Sequence, residues 1–141
     1  MLEDFGKVNR FRVCFADVDM LRHVNNTAYL RWGETVRSEY FVEVLGAEIG
    51  GGTGMIMATL RIEYERTLAY RENVAVACRI SRIGTKSFDF TYEVWSEDRG
   101  VRCAQITSTM VAMDYESGAT IAVPPLWRER IAAFERAPVT A

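Results

Sequence analysis

Residues 15–29 read Phe15-Ala16-Asp17-Val18-Asp19-Met20-Leu21-Arg22-His23-Val24-Asn25-Asn26-Thr27-Ala28-Tyr29, so two carboxylates, the only histidine and two asparagines fall in one short stretch. Upstream of it, Phe11, Val13 and Phe15 alternate with polar or small residues at period two, which predicts a half-buried strand over Asn9 to Phe15. Downstream, Ala28, Tyr29, Trp32, Val36, Tyr40, Val44 and Leu45 recur at helical spacing, which predicts one long helix over Thr27 to Leu45. Asn25, Asn26 or Thr27 supplies its N-cap, and Gly46 closes it. The stretch is therefore a strand-to-helix junction. Two uses of its polar residues stand on spacing alone: Asp17 and Asp19 organise a turn while the asparagines cap the helix, or the group carries chemistry.

Beyond the helix, Gly50-Gly51-Gly52-Thr53-Gly54 makes a connection that cannot be helical, and it lacks the G-K-[ST] ending of a phosphate-binding loop. Four strand-like runs follow over Met55 to Thr67, Asn73 to Ile83, Ser87 to Ser96 and Val101 to Tyr115, rich in aromatic and β-branched residues. The breaks between them are short, which favours antiparallel hairpins over parallel crossovers. Phe88, Phe90, Tyr92 and Val94 alternate cleanly with Asp89, Thr91 and Glu93. After Pro124-Pro125, Leu126 to Phe134 is expected as a short helix, with a disordered Pro-Val-Thr-Ala end. The order predicts an α+β fold: one long helix against a curved antiparallel sheet of about five strands, then a short C-terminal helix. At 141 residues, 1–141 is expected to be a single domain. One helix leaves much of such a sheet and its edge uncovered, which points to oligomerisation.

Composition excludes several functions. With Lys+Arg 17 against Asp+Glu 19 the net charge is −2, and no broad positive field exists to attract a nucleic acid. Cys14, Cys78 and Cys103 are odd in number and far apart, and with a single histidine they match neither a disulfide framework nor a zinc site. Met1 to Arg12 lacks the apolar core of a signal peptide, and no run approaches a membrane span. A soluble cytoplasmic protein is expected, with no membrane or nucleic-acid partner and no metal.

The D-x-D of Asp17 and Asp19, followed by H-V-N-N over 23–26, Tyr29 and Glu34, resembles the signature of the 4-hydroxybenzoyl-CoA thioesterase family of hotdog-fold acyl-CoA thioesterases. The long helix, the Gly-rich loop, the strand order and Thr85-Lys86-Ser87-Phe88 are similar to that family's layout over nearly the whole chain. The resemblance implies that an acyl-CoA thioester is hydrolysed to the free acid and CoA, with Asp19 as nucleophile or general base and Asp17 in support. It implies an oxyanion site at the helix-start amides near Asn25 and Asn26 and a CoA contact at Lys86 and Ser87, residues that on spacing alone are equally an ordinary hairpin turn; Tyr29 and Trp32 fit either an acyl-pocket wall or a helical aromatic stripe of the core. No metal or redox cofactor is implied, CoA being part of the substrate. A dimer is implied, often paired into a tetramer, with sites built from both chains.

Several positions keep two readings. Many relatives carry Gly where this chain has Arg22, whose guanidinium either approaches Asp19 or turns outward toward a phosphate. Related hotdog hydratases place four residues between Asp and His. Here three separate Asp19 from His23 and five separate Asp17 from His23, so His23 is read as structural or pocket-lining. Asn25 is a cap or a substrate contact. Thr59 is a hydroxyl at the substrate or an ordinary strand residue, and Glu34 is a reserve carboxylate or a solvated or salt-bridged helix glutamate. The rival functions are a noncatalytic acyl-CoA-binding domain, an acyl carrier protein thioesterase, and an interaction subunit.

Overall fold

The computed structural model describes residues 2–141. Its elements are β1 (Lys7–Arg12), α1 (Asn26–Glu43), β2 (Thr53–Tyr64), β3 (Asn73–Ile83), β4 (Ser87–Ser96), β5 (Val101–Asp114), β6 (Ala119–Thr120) and α2 (Pro125–Phe134). The strands form one sheet in the order β1-β3-β4-β5-β2, every pairing is antiparallel, and β6 adds to the end of β5. The expected five strands are thus joined by a two-residue sixth.

The alternation of β4 has its physical outcome: Phe88, Phe90, Tyr92 and Val94 are fully buried and meet Ala28, Tyr29, Val36 and Tyr40 of α1 in one core. Edge-to-face rings join the layers: Tyr40 of α1 meets Phe90 of β4 at 5.2 Å, and Trp127 of α2 meets Phe41 of α1 at 5.7 Å and Phe88 of β4 at 6.1 Å between centroids. Pairing shifts register between Met57 and Thr59, between Ile80 and Arg82, and between Val94 and Trp95. Such bulges bend strands, and here they curl the sheet around α1. Helix α1 ends where Gly46 takes φ +64 and Ala47 N–H returns to the Phe41 carbonyl.

Three expectations are corrected. The first strand stops at Arg12, because Asp17 accepts from the Cys14 N–H and draws Phe15–Asp17 into a 3-10 turn, leaving Phe15 81% exposed. Helix α1 begins at Asn26 and ends at Glu43 rather than spanning Thr27 to Leu45. The C-terminal end is ordered: Thr140 exchanges backbone hydrogen bonds with Ser81 and Ile83, forming a parallel bridge beside β3. Glu135 anchors that tail, its carboxylate accepting from the Tyr40 hydroxyl and the Ile80 N–H.

The sheet leaves β2 as an edge strand whose Ile56, Met57 and Tyr64 are exposed. Among the described residues no helix is long and apolar enough to cross a membrane.

Gly33 sits mid-helix on the buried face, and a Cβ there would stand 3.7 Å from Ile106, an ordinary contact. Gly33→Ala is expected to stabilise the protein by about 1 kcal/mol through helix propensity, read as a raised midpoint in chemical denaturation. A lowered midpoint would show that this face is packed more tightly than the spacing allows.

Candidate active site

The junction is organised by Asp17, which is 5% exposed although it is a carboxylate. One of its oxygens accepts from the Cys14 N–H at 3.1 Å and the Cys14 thiol at 3.0 Å, and the other faces Arg31 of α1 at 3.3 Å. Its backbone carbonyl accepts the Asn25 N–H at 2.7 Å. These contacts fix the chain on both sides of the turn, and they satisfy a charge that would otherwise be costly to bury.

Asn25 is the N-cap of α1. Its side-chain oxygen accepts the Thr27 N–H at 2.9 Å and the Thr27 hydroxyl at 2.6 Å. Its amide nitrogen donates to Asp19 at 2.8 Å, so one side chain couples the helix start to the second carboxylate. The other Asp19 oxygen accepts the Leu21 N–H at 2.8 Å, forming an Asx turn that the Val18–Val24 bridge closes. The Asn25 amide, then the Leu21 amide, hold the Asp19 carboxyl below its ordinary range, with His23 adding a smaller pull. Asp19 is therefore an ionised, partly exposed carboxylate at neutral pH.

The amides at the helix start are unequal. Asn25 N–H is spent on Asp17, Thr27 N–H on the cap, and Ala28 N–H on the Asn25 carbonyl. The Asn26 N–H has no acceptor among the described residues, and the Asn26 carbonyl accepts from the Tyr64 hydroxyl at 3.0 Å. A cavity of about 310 Å³ opens there, lined by Val24, Asn26, Tyr29, Tyr64, Glu65, Arg66 and Thr67. The Tyr29 and Tyr64 rings meet edge to face at 5.1 Å along its wall. Burial pushes the Tyr29 phenol above its ordinary range, so the group stays neutral.

The sequence candidates therefore fall into two places. Asp19, Asn25 and Asn26 come together at the junction, with Tyr29 on the adjoining cavity. His23 is exposed beside them and accepts the Asp19 N–H through its carbonyl. Arg22 makes no ion pair with Asp19 and takes φ +69, which explains why glycine suits this position: the left-handed backbone costs a residue with a Cβ but not glycine. Glu34 is exposed on α1. Thr59 is exposed on β2 beside its register shift. Lys86 and Ser87 lie toward the opposite end of the sheet: Tyr64 is level with Val94 through Ala104, seven residues along β4 from Ser87, or about 23 Å at a strand rise of roughly 3.3 Å per residue. There the Ser87 hydroxyl accepts from Arg82, and Lys86 makes only a 3.4 Å contact with Thr120. Tyr64 and Thr67 were not legible as site residues, because only the topology brings the end of β2 against the start of α1. Among the described residues no three metal-ligating side chains cluster.

A family model described as the thioesterase-like superfamily matches residues 13–131. The chain is 26% identical over 117 residues to the uncharacterized protein YsmA of Bacillus subtilis, covering 83% of this chain and 79% of that protein. A thioesterase from Thermus thermophilus, solved in complex with coenzyme A and zinc, is 29% identical, with a TM-score of 0.85 over 97% of this chain and 99% of its own. The 1,4-dihydroxy-2-naphthoyl-CoA thioesterase Slr0204 of Synechocystis is 14% identical, with a TM-score of 0.77 over 89% of this chain and 95% of its own, and shares the fold. The helix wrapped by a curved antiparallel sheet is the hotdog fold.

The left-handed residue at the centre of the turn gives a direct test. Arg22→Gly is expected to raise stability by about 1 kcal/mol by removing the Cβ conflict. An unchanged or lowered denaturation midpoint would show that the Arg22 side chain holds the turn through contacts of its own.

Proposed function

The chain belongs to the thioesterase-like superfamily and is a thioester hydrolase, and from that premise we propose that it hydrolyses acyl-CoA, in the manner of the 4-hydroxybenzoyl-CoA thioesterase branch its junction resembles. The observation that carries this reading is the pairing of an ionised carboxylate, Asp19, with an unspent backbone donor at Asn26, the two linked by the Asn25 side chain.

The chemistry follows from the parts. A thioester carbonyl seated at the start of α1 receives the Asn26 N–H and the positive end of the helix dipole, which strengthen as negative charge builds on its oxygen. An Asp19 oxygen attacks the carbonyl carbon, the carbon–sulfur bond breaks, and CoA leaves as a thiolate that needs little help from an acid. Water then cleaves the acyl–Asp19 anhydride to the free acid, and the carboxylate is restored. The Tyr29–Tyr64 cavity is the place for the acyl group.

The reading includes a dimer. The exposed apolar β2 edge has the open backbone groups that another strand would pair. Antiparallel pairing of two β2 edges about a two-fold axis would set the sheet end carrying Lys86 and Ser87 in one copy beside the end carrying Asn26 in the other. That arrangement supports a role for Lys86 and Ser87 along the pantetheine arm, which one chain alone does not allow. Pairing of dimers into a tetramer belongs to the same reading.

Thiol release from a panel of acyl-CoAs is expected for the wild type, and Asp19→Asn is expected to lower kcat about 10³-fold. Acyl-CoA binding without thiol release would favour a noncatalytic binding domain, and full activity in Asp19→Asn would remove Asp19 from the mechanism. The pH profile has a defined sign. Activity needs the ionised Asp19, so its acid limb lies below the ordinary carboxylate range, and Asn25→Ala, which removes the largest cause of the depression, moves that limb to higher pH. Sedimentation is expected to show a dimer or larger at micromolar concentration; a monomer would contradict the shared site.

A further inference from the structure

A strand side chain grips the residue that carries the unspent donor. The Tyr64 hydroxyl donates to the Asn26 carbonyl at 3.0 Å, so the last residue of β2 is tied to the first residue of α1. Asn26 is also the residue whose N–H is left without an acceptor among the described residues. In an α-helix the N–H and C=O of one residue point opposite ways along the axis, the N–H toward the N-terminus. Tyr64 therefore holds the far side of Asn26 and leaves the N–H directed out of the helix.

Tyr64 is itself fixed by neighbouring rings. It meets Tyr29 edge to face at 5.1 Å, Tyr29 meets Trp32 at 5.2 Å, and Trp32 meets Phe11 at 5.0 Å between centroids. Phe11 belongs to β1 and Tyr64 to β2, the two ends of the strand order, so the four rings join the outermost strands through the first two turns of α1. Tyr29 and Trp32 are buried while Tyr64 is 49% exposed, which seats its ring on one side and leaves it open to the cavity on the other. Burial raises the Tyr64 phenol above its ordinary range, so the hydroxyl keeps its proton at neutral pH.

Because Tyr64 lines the cavity, its hydroxyl invites a second assignment, as an oxyanion donor in its own right. The proton count decides against that. A phenol has one proton to donate, and here it lies on the Asn26 carbonyl rather than toward the space a thioester oxygen would occupy. Tyr115 makes the same kind of bond at the other end of β2, donating to the Met55 carbonyl at 2.9 Å, where no junction residue lies.

Resting on the acyl-CoA reading above, we propose that Tyr64 is a positioning residue for thioester hydrolysis: its hydroxyl holds Asn26 so that the N–H faces the thioester oxygen, and it acts on the reacting atoms only through that amide.

The test removes the hydroxyl and keeps the ring. Tyr64→Phe is expected to lower kcat about tenfold, with KM changed by less than about twofold, a smaller loss than the roughly 10²- to 10³-fold that follows removal of an oxyanion donor outright. Tyr115→Phe, which loses the matching bond, is the control and is expected to keep wild-type kcat. In the labelled, unliganded protein, Tyr64→Phe is expected to shift the Asn26 carbonyl carbon upfield and to leave the Asn25 amide, held by Asp17, in place. On titration with a non-hydrolysable acyl-CoA analogue, the Asn26 amide of the variant is expected to move less than that of the wild type. Both signals are read well below the denaturation midpoint, so a loss of stability alone does not move them. Wild-type kcat in Tyr64→Phe would overturn the proposal. A fall in kcat with the Asn26 signals unmoved would overturn it too, by putting the hydroxyl on the substrate itself. Absence of thiol release in the wild type would refute the hydrolase reading and the catalytic part of this proposal with it, while an upfield Asn26 carbonyl in the variant would still show that Tyr64 holds the helix start.

Discussion

A buried carboxylate sets the geometry on which the rest depends. Asp17 is drawn below the surface by the Cys14 N–H, the Cys14 thiol and Arg31, and its own carbonyl takes the Asn25 N–H. That last bond decides which amide at the start of α1 stays free. With Asn25 spent and Thr27 and Ala28 committed, the unspent donor of the first turn falls at Asn26, beside the cavity. The same Asn25 turns its side chain to Asp19, so the carboxylate and the donor are positioned by one residue. Function here is a consequence of how a turn satisfies its polar groups.

Much of this was legible in the chain. The period-two alternation of β4 and the helical spacing of α1 marked out the two faces of the core, because burial depends on those periods directly. The D-x-D and H-V-N-N residues marked the junction, since few other stretches concentrate turn and cap formers so densely. What sequence spacing could not separate was Asp17 from Asp19. They are two positions apart, yet one is buried in a hydrogen-bond network and the other is only partly covered. The end of β1 was overrun for a related reason: Phe15 fits the alternation, but the pull of Asp17 on Cys14 turns the chain before Phe15 can pair. The tail at 137–141 reads as polar and Pro-containing, and its order comes from Glu135 and the β3 edge, which are tertiary.

The cations make the complementary point. Composition counts seventeen of them, but their meaning lies in their partners, and most hold carboxylates or carbonyls of this same chain. Tyr64 makes the same point for a neutral side chain: in the sequence it is one more aromatic strand residue, and only the sheet order sets its hydroxyl on the Asn26 carbonyl. The junction is thus held from two sides, by Asp17 within the turn and by Tyr64 from the β2 edge.

The most direct measurement of the central claim is a titration of the ¹⁵N-labelled protein with a non-hydrolysable acyl-CoA analogue that keeps the carbonyl and replaces the sulfur by methylene. The account predicts that the Asn26 amide proton moves downfield as it takes up the carbonyl oxygen, while the Asn25 amide, already bonded to Asp17, stays in place. Movement of Asn25 without Asn26, or saturation with neither moving, would contradict it.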